Sequence, residues 1–189
     1  STDANMLVAY YSKGCDSHKL FDSLKVVSTN NYEKHLNQHN VIHLNMQEFL
    51  SDSTSISDML DILNQEVIYE LSKEYDVHVI TPNIKNYLKR IYSDYNQSFI
   101  FVIDEWDCIF REFKRDKQER YLDYLRNLLK DQPYVELAYM TGILPIKKYG
   151  THSALNMFDE ISMLQPESYS KFMGFTEEEV RALCEKYHV

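Results

Sequence analysis

Glycine and proline are scarce, with four of each in 189 residues. A flexible interdomain linker needs runs of such residues, so one compact unit is expected, and no internal repeat or low-complexity tract interrupts it. Cysteine is equally sparse. Cys15, Cys108 and Cys184 stand far apart with no CxxC or Cys/His ligand spacing, which argues against a structural zinc and for the reduced thiols of an intracellular protein. Basic residues are outnumbered, 20 against 29 acids, and the net charge of −9 excludes a surface that grips nucleic acid over its whole extent. No run of about eighteen apolar residues occurs, and the first residues lack the basic-then-apolar order of a signal peptide. A cytoplasmic chain with no membrane partner is expected.

What the chain does have is apolar weight, 44% hydrophobic residues and 13% aromatic, enough for a sizeable core. Its periodicity switches repeatedly between helical and strand spacing. TDANMLVAYYSKG places Met6, Leu7, Tyr10 and Tyr11 on one side of a helix, with Gly14 as its stop. VIHLNM, 41–46, reads as a short strand. Residues 55–75 form an amphipathic helix through Ile56, Met59, Leu60, Leu63, Val67 and Leu71, capped by Ser55 with Asp58. Thr81 as N-cap and Pro82 at the first helical position open another helix, with Ile84, Tyr87, Leu88 and Ile91 on one face.

FIFVID, 99–104, is then a strand, 116–130 a helix with Tyr121, Tyr124, Leu125 and Leu128 facing inward, and VELAYMTG, 135–142, a strand. A further short strand is expected at 161–164. Thr176 and Glu179 have capping-box spacing ahead of a helix striped by Val180, Leu183 and Tyr187. Strands alternating with long helices predict an α/β layered fold with a mainly parallel sheet.

The sharpest feature is FIFVIDEWD, where five apolar residues end abruptly in Asp104 and Glu105, with Asp107 close behind. In an open parallel sheet, ligands bind at the carboxyl ends of the strands. Two adjacent carboxylates there repel one another and lose hydration, a cost that a divalent cation removes. In nucleoside triphosphatases the aspartate after such a strand, the Walker B position, holds Mg²⁺ beside the phosphates, and the next acid orients or deprotonates the attacking water. Asp104 thus takes the metal role and Glu105 the base role. The ordinary alternative is that the acids begin a solvated loop or cap a helix. Met140-Thr141-Gly142 brings a hydroxyl to the same sheet edge, where Thr141 would meet a γ-phosphate or water; a strand-end threonine before a glycine turn is the plainer alternative.

A glycine-rich GxxxxGK[ST] loop, whose N–H groups and lysine cradle phosphates, is not found in the sequence. On these residues alone, ATP is expected to bind weakly or not at all. Other constellations carry less chemistry. His35, His39 and His43 stand four apart, but a strand at His43 spoils a helical ligand spacing, so they read as surface histidines. The fifteen tyrosines read as stripes that pack helices with the hydroxyl reaching water. FREFKRDKQER, 110–120, is the one basic-rich segment and reads as a solvated loop and helix start, the alternative being contact with a partner's acidic surface or a nucleic-acid backbone.

FVIDEWD, YMTGILPIKKYGTHSALNMFDEISM and YSKFMGFTEEEV together resemble the bacterial AAA-ATPase-like family of P-loop proteins, over the whole chain. The resemblance implies a P-loop fold whose sheet is incomplete because the Walker A strand is absent, and a partial domain at 1–189 truncated at both ends. It implies a Walker A loop immediately upstream of Ser1, with Ser1 or Thr2 at the magnesium-binding hydroxyl position. It carries Asp104 and Glu105 over as Walker B, Thr141 as a sensor-like residue, and Asp107, part of a DExD pattern, as a cofactor-binding residue with Ser1 and Thr2, although its residue type alone gives it no role. Lys147 and Lys148 fall where a cation near phosphate would be useful, or in a solvated turn. ATP and Mg²⁺ are the implied cofactors. Self-association through an exposed sheet edge, and a C-terminal nuclease-like domain of the PD-(D/E)XK type, are the implied partners. The function expected is ATP hydrolysis; the alternative is a nucleotide-dependent switch or interaction scaffold with little turnover.

Overall fold

Three parallel strands organise the chain in a computed structural model that describes residues 1–113, 115–145, 155–162 and 175–188, with the backbone alone described at 112 and 115–117. They are β1 (Asn40–Asn45), β2 (Phe99–Asp104) and β3 (Val135–Met140), in the order β1-β2-β3. In chain order the helices are α1 (Thr2–Tyr11), α2 (His18–Phe21), α3 (Tyr32–His35), α4 (Met46–Ser51), α5 (Ile56–Ser72), α6 (Ile84–Tyr95), α7 (Cys108–Glu112), α8 (Arg115–Leu129) and α9 (Glu177–Tyr187). A 3-10 turn lies at Lys25–Ser28. Among the described residues no helix is long and apolar enough to cross a membrane.

The unbroken apolar run of β2 follows from its place at the centre of the sheet, where every residue is buried. A strand covered on both faces has no polar side to alternate with. Phe99, Phe101 and Ile103 join the main core with Met59, Leu63, Leu88, Ile91, Leu125 and Leu128 from α5, α6 and α8. Ile100 and Val102 face the other way, against Ala4, Leu7, Val8 and Tyr11 of α1. That helix is fastened to the start of β1 by Asn37. Its backbone N–H donates to the Tyr10 carbonyl at 2.7 Å, and its side-chain amide donates to the carbonyls of Ala9 at 2.9 Å and Ser12 at 3.0 Å. Asn37 adopts a φ of 55°, a left-handed conformation that asparagine tolerates better than most residues.

The strands and long helices match the periodicity of the sequence to within a few residues. Ser55 caps α5, accepting from the Asp58 N–H at 3.2 Å. Thr176 and Glu179 form the full capping box of α9, although Val180, Leu183 and Tyr187 remain on the surface. Elsewhere the structure differs. The helix expected to begin with Thr81 and Pro82 starts two residues later, because Asn83 supplies the cap, accepting from Asn86 N–H at 2.9 Å.

The tyrosine hydroxyls expected in water are in several cases buried. Tyr121, Tyr87 and Tyr134 donate to the carbonyls of Trp106, Tyr75 and Leu128 at 2.8, 3.1 and 2.5 Å. A buried hydroxyl needs such a partner. His35 and His39 are not separate surface groups either. Their rings stack with Nδ1 and Nε2 3.0 Å apart, and His39 Nδ1 meets Glu136 at 3.0 Å. Of the short strand expected at 161–164, residues 163 and 164 lie outside the described residues, as do Lys147 and Lys148.

β2 sits between its two neighbours with no gap, and the far side of β3 is a free edge among the described strands. Leu137 on β3 is 43% exposed there.

Candidate functional site

Parallel register brings the ends of β2 and β3 together. Ile103 pairs with Met140, so the residues that follow, Asp104 and Thr141, leave the sheet side by side. The Thr141 N–H donates to the Ile103 carbonyl at 2.9 Å, and the Trp106 N–H returns to the Thr141 carbonyl at 3.1 Å. Within this frame the Thr141 hydroxyl donates to Asp104 Oδ1 at 2.6 Å.

Asp104 is 3% exposed, and a carboxylate so buried requires polar partners. Oδ1 receives the Thr141 hydroxyl and also the Glu105 N–H at 3.2 Å. Oδ2 faces the backbone nitrogen of Ser1. Ser1 is the N-cap of α1, its hydroxyl accepting from Ala4 N–H at 3.3 Å. The positive end of that helix therefore points at the carboxylate. Thr2 is the first residue of α1 and is exposed beside this contact. Ser1, Asp104 and Thr141, far apart in sequence, meet with the Glu105 N–H at the C-terminal edge of the sheet.

Glu105 turns the chain sharply away from β2. Its φ of 54° is left-handed, a conformation that costs a non-glycine residue about 1–2 kcal/mol. Backbone strain of this kind gathers at functional sites. The side chain reaches the rim of the site, where Glu105 Oε2 accepts from Arg111 Nη2 at 3.0 Å. The same Arg111 nitrogen donates to Gln47 Oε1 at 3.3 Å, so α4 and α7 together hold the carboxylate. Asp107, by contrast, is wholly buried. Its Oδ2 accepts from the N–H groups of Ile143 at 3.1 Å and Leu144 at 2.9 Å, which commits it to the loop after β3.

The donor set suits a hard cation. Asp104, Ser1 and Thr141 contribute only oxygen side-chain donors, and Mg²⁺ is commonly held by one or two carboxylates together with phosphate and water. Among the described residues no group of three or more His, Cys, Asp or Glu is arranged to hold a metal. A softer, all-protein metal centre thus has no counterpart there.

Arg111 and Gln47 are the site residues that sequence reasoning missed. Arg111 lies in the basic stretch taken for solvated loop, and only the fold of α7 back toward α4 reveals its partner.

No curated protein and no solved structure matches the chain. A family model described as Predicted AAA-ATPase matches residues 1–151, a span that includes Ser1, Thr2, Asp104, Glu105, Asp107 and Thr141 and stops short of α9. This chain belongs to the AAA-ATPase-like family.

Proposed function

We propose that the chain forms part of a P-loop-type site that binds and hydrolyses ATP, with Asp104 as the magnesium-holding residue and Glu105 as the base. The observation that carries this is the meeting of Ser1, Asp104 and Thr141 at the end of the central strand. Ser1 or Thr2 would hold the same cation as Asp104. A Mg²⁺ held by these residues would supply charge neutralisation for the β- and γ-phosphates. Thr141 keeps the Asp104 carboxylate in one orientation, and Glu105 takes a proton from water as its oxygen attacks the γ-phosphorus and the bond to the leaving ADP oxygen breaks. The glycine-rich phosphate loop belongs upstream of Ser1 in this scheme.

The test is phosphate release by the full-length protein with Mg²⁺ and ATP. Glu105→Gln is expected to lower kcat by about 10²–10³-fold while nucleotide still binds. A wild type that releases phosphate and a variant that matches it would remove the base assignment.

A second reading, a nucleotide switch with slow turnover, is favoured by one contact. The Glu105 carboxylate is engaged by Arg111, which competes with water for it. If that pairing restrains hydrolysis, Arg111→Ala raises the rate of phosphate release. A rate that falls or stays level returns the assignment to an ordinary hydrolase. The free edge of β3 offers a route to self-association by strand addition. Monomeric elution at all concentrations would count against it.

A further inference from the structure

The third acid of the cluster has a separate task. Asp107 is fully buried at the turn that follows β2, yet its carboxylate does not point at its own helix. Oδ2 reaches across to the chain leaving β3 and accepts from two successive N–H groups, Ile143 at 3.1 Å and Leu144 at 2.9 Å. Those residues follow Thr141 directly, with only Gly142 between.

Gly142 is where the two segments come closest. A methyl group built on it would lie 2.6 Å from Asp107 Oδ1 and 2.6 Å from both Cδ1 and Nε1 of Trp106. Real carbon contacts are never so short, so any side chain at 142 must push the loop off Asp107. Oδ1 itself is buried and has no hydrogen-bond partner among the described residues. Burying an unsatisfied carboxylate oxygen is costly. It is tolerated here beside two charge-assisted bonds at Oδ2, each stronger than a neutral acceptor would make.

The support continues behind Asp107. The Trp106 N–H donates to the Thr141 carbonyl, and the buried Tyr121 hydroxyl of α8 donates to the Trp106 carbonyl at 2.8 Å. The loop after β3 is thus held on one side through Trp106 and on the other by Asp107. The first attachment is at Thr141 itself, whose hydroxyl meets Asp104 at 2.6 Å, and the second follows after Gly142 alone.

We infer that Asp107 is a positioning residue: through the backbone of Ile143 and Leu144 and the bare Cα of Gly142, it holds Thr141 so that its hydroxyl aligns the Asp104 carboxylate. The inference deepens the ATPase assignment and rests on it for its effect on turnover. Asp107 touches neither nucleotide nor metal in this scheme. Its loss acts on the chemistry only through Thr141.

Two measurements on the full-length protein separate this from the ATPase assignment. The first is amide hydrogen exchange. Asp107→Ala and Gly142→Ala should each speed exchange at Ile143 and Leu144 by about tenfold or more, while the amides of β2 stay as protected as in the wild type. Unchanged protection at Ile143 and Leu144 in folded Asp107→Ala overturns the inference, whether or not the protein hydrolyses ATP. Should Asp107→Ala not fold, Asp107→Asn keeps an acceptor for both N–H groups, and Gly142→Ala disturbs the same contact from the other side; wild-type exchange at Ile143 and Leu144 in Gly142→Ala would be equally fatal.

The second is Mg²⁺-dependent phosphate release. Asp107→Ala should lower kcat by about 10–10²-fold with KM for ATP within about twofold of wild type, Asp107→Asn falling between the two. Combined with Thr141→Val, Asp107→Ala should cause no further loss, since both act on one alignment. A full multiplicative loss in the double variant would show that Asp107 works by another route and would overturn the inference. A wild type that neither binds nor hydrolyses ATP would instead defeat the ATPase assignment, leaving the exchange result to decide the role of Asp107 in the loop.

Discussion

Asp104 is a charged group placed where charge is hardest to keep. Its neighbours answer that difficulty one contact at a time, and the most direct is the 2.6 Å hydrogen bond from Thr141. Removing the hydroxyl leaves a buried carboxylate short of a donor. Thr141→Val is therefore expected to destabilise the fold by about 1.5–3 kcal/mol in denaturant unfolding, the range for hydrogen bonds to charged groups. A loss below the error of the measurement would mean that water replaces the hydroxyl.

Tyr121 tests the layer behind. Burial, with the Cys108 and Asp107 sites nearby, holds its hydroxyl well above the ordinary tyrosine range, so it keeps its proton to donate to Trp106. Because the folded value is raised, this contribution is complete below the unfolded tyrosine pKa and is lost as pH climbs through the folded one. Tyr121→Phe should accordingly flatten the alkaline decline of stability. Residue types alone made Asp104, Glu105 and Thr141 legible in the sequence, since acids after an apolar run and a threonine at a strand end are visible as patterns. The contacts of Asp107 were not legible, because its partners are backbone N–H groups, which every sequence has.

Elements long enough to repeat were readable, and those too short to repeat were not. The helix α5 runs for 17 residues and shows its buried stripe plainly. The helices α2, α3, α4 and α7 span one to two turns each, and one turn carries no period to detect. Competition between caps explains the later start of α6. Thr81-Pro82 is a good opening, but Asn83 accepts from Asn86 while Asn64 of α5 receives the Ile84 N–H at 2.9 Å, and a partner on another helix is invisible in local sequence.

The start of α5 offers a pH test. Asp58 accepts from the Thr54 N–H at 2.8 Å and the Thr54 hydroxyl at 2.9 Å, and these bonds hold its carboxyl below the usual range. A lowered folded value means that the contribution is present above the unfolded pKa and fades as pH falls through the folded one. Asp58→Asn should thus reduce the acid-side slope of stability measured by thermal unfolding between about pH 5 and 2. An identical slope in the variant would show that the Thr54 contacts do not persist in solution. Ser55→Ala, which removes the cap itself, should cost about 1 kcal/mol.

At the scale of the whole molecule, everything turns on the middle strand. β2 packs α5, α6 and α8 on one face and α1 on the other, and Phe101 has no exposed surface at all. Phe101→Ala should lower unfolding free energy by about 3–5 kcal/mol, the usual range for emptying such a site. Loss of β2 order would also separate Asp104 from Thr141, since its register with β3 is what sets them side by side. Strand order was not written in the periodicity of the sequence. It depends on which faces find each other, and α/β alternation permits more than one arrangement. The stacked His35–His39 pair with Glu136 and Ser98 at the opposite end of the sheet was hidden for the same reason, with the strand starts joined only in the fold.

The central claim is that a cation bound with nucleotide sits at Asp104. Its most direct test replaces Mg²⁺ by Mn²⁺ with ADP in the full-length protein and follows paramagnetic broadening of the backbone amide signals. Selective loss of the signals of Thr2, Asp104, Glu105 and Thr141, abolished by Asp104→Ala, is the predicted result. Broadening centred elsewhere on the chain, with Asp104 and Thr141 left sharp, would contradict it.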